Sequence, residues 1–181
     1  YYSDSFLVRD SIKLLLSRIS YQDNYYSLLD DACEVLENSG HFSEADIILS
    51  AKNDEYDAFL DYGDSTVIKN LADEITDGLY SDYDKAKAIE AYFVNNDFVY
   101  DPDFRKKKGD NAETFLISSQ TGVCYEFATA MVLLSRASGI PARFAEGYNM
   151  SELGPDGKYL ISSNDAHGFP ELYIASIGWI S

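Results

Sequence analysis

The segment from Cys124 to Ser138 is the feature of this sequence that most constrains its fold. Apolar residues occupy nearly every side of this segment as a helix: Phe127, Ala128, Ala130, Met131, Val132, Leu133 and Leu134. Gly139 ends it, and Ile140-Pro141 cannot continue it, because proline breaks a helix and restricts the residue before it. A helix without a polar face is buried. The sequence therefore predicts a central helix that other elements cover.

The patterns on the two sides of this segment differ. Before it, apolar residues recur every three or four positions in stretches that end at glycines and begin at Ser65 and Ser81, which predicts short capped helices. After it, alternation predicts strands at 142–148, 158–161 and 167–175 and a fourth beginning at Trp179. This order predicts an α+β fold, with N-terminal helices followed by the buried helix packed on an antiparallel sheet.

The length of 181 residues favours one domain with a helical extension. We expect residues 1–62 to form a helical N-terminal extension and residues 63–181 to form the core. The chain opens on Tyr1 and closes on the apolar Trp179-Ile180 pair, and both ends are typical of cuts through a longer protein.

Charge and cysteine content exclude several classes of function. Lys and Arg number 14 against 31 Asp and Glu, a net charge of −17, which argues against a nucleic-acid partner. Cys33 and Cys124 are the two cysteines, so neither a disulfide-rich scaffold nor a CxxC metal site is available. The Asp-rich stretches lack the spacing of a calcium loop. We predict no bound metal and no cofactor.

Cys124 and His167 are the candidate reactive residues. We expect Thr121 to cap the central helix, which places Cys124 in its first turn, where free N–H groups and the helix dipole favour a thiolate. His167 begins a predicted strand, and a histidine that lies beside the thiol could accept its proton, as thiol acyl transfer requires. The alternatives are a small buried cysteine and a structural histidine.

Two blocks of sequence resemble the transglutaminase-like superfamily. The first is TGVCYEFATA at 121–130, followed by RASGIPAR at 136–143 and Glu146-Gly147-Tyr148. The second is DAHGFPELY at 165–173, followed by Gly178-Trp179. The chain resembles in particular the bacterial members carried on the outer side of membrane proteins. The resemblance is weaker over residues 71–116 and absent from residues 1 to about 60.

This resemblance implies a papain-like core in which Cys124 is the nucleophile and His167 the base. It also implies a third residue, Asp or Glu, a few positions after Gly178-Trp179, so the core would be truncated before that residue. Asp165 and Glu171 are the substitutes within the chain, because each shares the strand face of His167. We expect Glu171 to pair with Arg143 instead.

The backbone N–H of Cys124 is the expected oxyanion donor, because it lies at a helix N-terminus. Gln120 and Tyr100 are its candidate side-chain partners. Phe169 stands where the resembled family commonly has tryptophan, which keeps an apolar wall beside the imidazole.

The resemblance implies a protein or peptide substrate and an extracytoplasmic domain of a membrane-anchored parent. Three functions remain open at this point: transfer of a glutamine acyl group to an amine, hydrolysis as a cysteine peptidase or amidase, and non-catalytic binding of peptide or cell wall.

Overall fold

The computed structural model describes residues 17–52, 56–150, 153–175 and 177–181. The helices are α1 (Tyr25–Asn38), α2 (Phe42–Lys52), α3 (Thr66–Ile75), α4 (Asp82–Asn95), α5 (Ala112–Thr114, continued by a π-helix at Phe115–Ser119) and α6 (Cys124–Ala137), with 3₁₀ turns at Asp57–Leu60 and Ser163–Asp165. The strands are β1 (Val99–Tyr100), β2 (Thr121–Gly122), β3 (Ala142–Tyr148), β4 (Ala166–Ile174) and β5 (Gly178–Ile180).

The strands form two separate sheets. β3, β4 and β5 make an antiparallel sheet in that order, and β1 pairs with β2 in parallel. The α+β fold predicted from the sequence is confirmed. The predicted strand at 158–161 is wrong: Tyr159 forms one isolated bridge with Leu153, and β3 pairs directly with β4. Tyr159, Leu160 and Ile161 are all at least half exposed, so this stretch has no buried face to hold it in a sheet.

α6 lies between the other helices and the antiparallel sheet. One side of α6 packs against α3, α4 and the π-helix through Ala130, Leu134 and Ala137. Val132 packs on the opposite side, against Ala142 of β3 and against β4. The helix is therefore enclosed from both sides, as its apolar composition predicts. Among the described helices, none combines the length and hydropathy needed to cross a membrane.

The N-terminal residues pack on the sheet through aromatic rings. Tyr21 and Tyr25 contact Tyr173 of β4, and the Tyr25 and Tyr173 hydroxyls lie 3.3 Å apart. Tyr56 stacks on the same tyrosine with ring centroids 4.1 Å apart, and Trp179 of β5 closes the cluster. These contacts hold the N-terminal residues against the core. The division between extension and core at residue 62 stays a prediction.

Asp82 anchors the N-terminal residues at the first turn of α4. Its side chain is fully buried, and Oδ2 accepts a hydrogen bond from the Tyr21 N–H at 2.6 Å. Its own N–H donates to the Ile19 carbonyl at 3.0 Å. The second carboxylate oxygen, Oδ1, has no hydrogen-bond partner among the described residues. Burial raises the pKa of Asp82 from its ordinary 3.8 to about 6, although the Tyr21 N–H and the charge of Lys85 act in the opposite direction.

This raised pKa predicts a pH-dependent stability that Asp82→Asn removes. The folded chain holds the Asp82 proton more tightly than the unfolded chain, so the stabilisation is fully present below about pH 4 and lost as the pH rises through 6. Relative to the wild type, the variant gains about 2 kcal/mol in free energy of unfolding between pH 4 and pH 7. Urea denaturation followed by circular dichroism at several pH values measures this difference.

Asp97→Asn is the control, because Asp97 is exposed on the surface. Its free energy of unfolding is expected to follow that of the wild type across the same pH range. A constant difference between Asp82→Asn and the wild type from pH 4 to pH 7 contradicts the prediction.

Candidate active site

Cys124 is the first residue of α6, as the sequence predicts, but the helix is capped differently. Thr121 belongs to β2 and does not cap the helix. Val123 is the N-cap residue, and its N–H donates to the Glu126 carboxylate at 3.2 Å. The prediction fails because the β1–β2 pairing holds Thr121 in an extended conformation. Cys124 still lies where the unpaired N–H groups of the helix converge.

Gly122 is required by the same capping arrangement. A Cβ atom at Gly122 would lie 2.6 Å from Glu126 Cβ, closer than side-chain carbons approach in folded proteins. Gly122 also pairs with Tyr100 across the parallel strands, and its carbonyl accepts from the Asp101 N–H at 2.9 Å. β1 and β2 thus fix the chain that leads to the cysteine and bring Tyr100 to its side.

Cys124 and His167 line one cleft. The cleft has a volume of about 390 Å³, and its walls are mostly apolar, with Phe127 and Met131 of α6 on one side and Phe169 of β4 on another. The imidazole of His167 stacks on Phe169 with ring centroids 6.4 Å apart, as predicted for an apolar wall beside the histidine. Cys124 is largely buried and His167 is exposed. The structure therefore brings a nearly desolvated thiol and a solvated imidazole to the same cavity.

His167 also lines a second, more polar cavity of about 340 Å³. The other side chains that line it belong to Tyr125, Glu146, Tyr148 and Ala166. Tyr125 follows the cysteine on α6, its ring stacks on Phe144 with ring centroids 5.4 Å apart, and the Glu146 carboxylate raises the pKa of Tyr125. Sequence reasoning missed this cavity, because a lone glutamate in a strand carries no motif.

The two in-chain candidates for an orienting acid have other partners. The Arg143 guanidinium Nε donates to Glu171 Oε2 at 2.6 Å across the β3–β4 pair, which confirms the predicted pairing. Arg143 also lies 4.2 Å above the Trp179 ring. Asp165 accepts hydrogen bonds from the Ser162 N–H and hydroxyl, which lower the pKa of Asp165.

The two candidate oxyanion side chains occupy different places. Tyr100 lines the cleft of Cys124 and His167, whereas Gln120 is not among the described residues that line it. Gln120 has a left-handed backbone (φ 44°), and its carbonyl accepts from the Val99 N–H at 2.7 Å. Its backbone therefore joins the π-helix to the β1–β2 pair. Its assignment to the oxyanion hole stays a prediction.

A larger cavity, about 560 Å³, lies at the other end of α6 and holds neither candidate residue. One of its cations, Lys69, pairs with Asp73. The other two are engaged with backbone carbonyls: Lys85 donates to Ser138 at 3.2 Å, and Arg136 donates to Asp61 and Ala142. These contacts complement the negative end of the helix dipole.

Among the residues that the structure describes, no group of three or more His, Cys, Asp or Glu side chains could hold a metal ion.

The family model described as the transglutaminase-like superfamily matches residues 69–181. A protein-glutamine gamma-glutamyltransferase from Pseudomonas aeruginosa is 34% identical over 112 residues, which are 61% of this chain and 17% of that protein. The chain thus spans about a sixth of the length of this relative.

Two solved structures are similar in fold. The periplasmic domain of TgpA from Pseudomonas aeruginosa superposes with a TM-score of 0.61 and 31% identity, covering 68% of this chain and 45% of that domain. A protein from Cytophaga hutchinsonii described as a candidate cysteine protease superposes with a TM-score of 0.53 and 29% identity, covering 68% of this chain and 39% of that protein.

The packing beside His167 predicts that Gly168→Ala destabilises the chain. A Cβ at Gly168 would lie 2.7 Å from Phe144 Cζ, and the Phe144 ring is held between Tyr125 and the core. Overpacking of this kind costs about 1–3 kcal/mol. Chemical denaturation measures the loss. Gly147→Ala is the matched control on the paired strand, because its Cβ would meet Phe169 at 3.4 Å, an ordinary contact. Equal stability of the two variants would be evidence against this packing.

Proposed function

The chain belongs to the transglutaminase-like superfamily, and on that premise we propose that it is the catalytic domain of a thiol acyl-transfer enzyme acting on glutamine side-chain amides. Cys124 is the nucleophile and His167 is the general base. The observation that carries the proposal is the single cleft that both side chains line. A cysteine at a helix N-terminus and a histidine in the same cleft are the kind of pair that covalent acyl transfer needs.

The reaction follows from the chemistry of this pair. His167 takes the Cys124 proton, and the sulfur attacks the amide carbonyl carbon. The imidazolium then protonates the leaving nitrogen, so that ammonia departs and a thioester remains. The Cys124 N–H stabilises the oxyanion, since it lies at the positive end of α6. An amine that attacks the thioester gives a new amide, and water gives the acid.

Hydrolysis of a peptide amide is the second candidate activity. The structural likeness to a candidate cysteine protease at 29% identity favours it. The apolar wall of Phe127, Met131 and Phe169 favours transfer, because it limits water around the thioester. Non-catalytic binding is the third candidate, and in that case the thiol and the imidazole would have no joint role.

We propose that the acid of the triad comes from the chain that follows Ser181. Glu171 and Asp165 are bound elsewhere. The β4–β5 register pairs Leu172 with Ile180. If β5 continues in this register, the fourth residue after Ser181 lies opposite His167, and the second lies diagonal to it on the same face. An Asp or Glu at either position is close enough to orient the imidazole.

Turnover of a glutaminyl peptide by a chain extended about twenty residues past Ser181 tests the catalytic proposal. Cys124→Ala is expected to lower ammonia release at least about 1,000-fold, because the covalent step is lost. Cys33→Ala is the matched control and is expected to retain full activity, because Cys33 is buried near Ala45 of α2. Mass spectrometry of enzyme quenched during turnover is expected to find the acyl group on Cys124.

Alkylation separates a catalytic cleft from a binding module. With iodoacetamide at mildly acidic pH, Cys124 is expected to react faster than Cys33, whose pKa is raised by burial and by Glu37. His167→Ala is expected to remove this difference. If Cys124 alkylates no faster than Cys33, the catalytic reading is wrong.

We also propose that the domain lies outside the cytoplasm as part of a membrane-anchored parent. The support is the similarity to a periplasmic domain at 31% identity. Fusion of alkaline phosphatase at a surface loop of the full-length parent tests the location, since this reporter is active only after export. Phosphatase activity in intact cells is expected. If the phosphatase fusion is inactive, and a reporter that works only in the cytoplasm is active when fused at the same site, the proposal is contradicted.

A further inference from the structure

We propose that the polar cavity beside His167 binds the ammonium group of the amine acceptor, and that Glu146 selects cationic amines over water and neutral nucleophiles. This inference rests on the proposed function, because it assigns the second substrate of the same site. Glu146 acts here as a specificity-determining residue.

The position of the cavity supports this assignment. His167 lines both this cavity and the cleft of Cys124, so the imidazole is a wall that the two spaces share. Tyr125, the next residue after the nucleophile, forms another wall. β3 supplies Gly147 directly opposite His167 and Glu146 directly before it. A molecule in this cavity therefore lies against the base of the reaction, whereas the acyl group would occupy the apolar cleft that Cys124 lines.

The chemistry of the walls fits an alkylammonium ion. The described residues that line the cavity supply one carboxylate, two phenol rings and no lysine or arginine. A carboxylate and aromatic faces together are a favourable environment for an ammonium group. The nearby guanidinium of Arg143 is engaged by Glu171, so it does not neutralise Glu146. The net charge of −17 also raises the local concentration of cations.

Tyr125 is the neighbour of this carboxylate in the cavity wall. Glu146 raises the pKa of Tyr125, and stacking on Phe144 restricts the Tyr125 ring. Glu146 lines the cavity and is exposed to solvent. An exposed carboxylate gives a modest and salt-sensitive attraction, which is sufficient to bias the choice between amine and water.

The transfer step balances with the residues present. One proton of the bound ammonium passes to the neutral imidazole of His167, which leaves the amine with a free electron pair. That pair forms the new C–N bond as the thioester C–S bond breaks, and the departing sulfur of Cys124 takes the second proton from nitrogen. Glu146 binds the cation before the first transfer and takes no part in the bond changes.

A comparison of two acceptors of similar size, one charged and one neutral, tests the proposal. The extended chain is given a glutaminyl peptide with either 1,5-diaminopentane, a cation at neutral pH, or O-butylhydroxylamine, which is uncharged. Glu146→Gln is expected to raise the KM for the diamine about three- to fivefold and to leave the KM for the neutral acceptor unchanged. At high salt the wild type is expected to approach the variant. Glu74→Gln, which makes the same charge change on α3, is the matched control.

An equal change of both KM values in Glu146→Gln overturns the inference and leaves the proposed function intact. Absence of thioester formation by the wild type contradicts the proposed function instead. Binding of 1,5-diaminopentane to the Cys124→Ala chain then decides the inference independently of turnover. Ring signals of Tyr125 and Tyr148 in NMR spectra are expected to shift with the diamine and to lose most of that shift in Glu146→Gln. If the chain that carries both Cys124→Ala and Glu146→Gln shows the same diamine-induced shifts as the Cys124→Ala chain, the inference is overturned.

Discussion

Enclosure of α6 between the other helices and the antiparallel sheet is the constraint on which the rest of the structure depends. Helices cover one side through Ala130 and Leu134, and the antiparallel sheet covers the other through Val132. A helix enclosed in this way cannot rotate or slide without exposing apolar surface to water. That exposure costs about 25 cal/mol for each Å². Its N-terminal residue, Cys124, is consequently held at a fixed depth beneath the surface. The precision of the candidate site comes from the core rather than from the loops around it.

The sheet fixes the second half of the site by a different means. Arg143 bridges β3 to β4 through Glu171 and lies over Trp179 of β5, so one side chain contacts all three strands. Because the pair is partly exposed, with 42% of the arginine and 24% of the glutamate side chain accessible, its charges avoid the full cost of desolvation. The register that this contact supports places His167 opposite Gly147. His167 and Cys124 are thereby positioned by separate elements that meet only at the cleft.

The sequence predicts those features that depend on local chemistry or on one strong pattern. The caps of Ser65 and Ser81 accept the expected N–H bonds, and the bounds of the apolar helix follow from its composition. Pairing over long distance escapes such reasoning. Thr121 has the chemistry of a helix cap but lies in a strand because Val99 pairs with it. Tyr159 and its neighbours have strand-forming side chains but nothing to cover them. The cavity at Glu146 arises from packing between α6 and β3, which no spacing in the sequence encodes.

The anchoring of the N-terminal residues at Asp82 has a mechanical consequence. α4 begins at this anchor, and its last turns, at Glu90 and Val94, form part of the wall of the cleft. The thirteen residues from Asp82 to Val94 span about 18 Å of rigid helix. Ile89 lies between these two ends and is fully buried in the core beside α6. The anchor of the N-terminal residues and one wall of the cleft are therefore parts of a single rigid element, so neither shifts without the other.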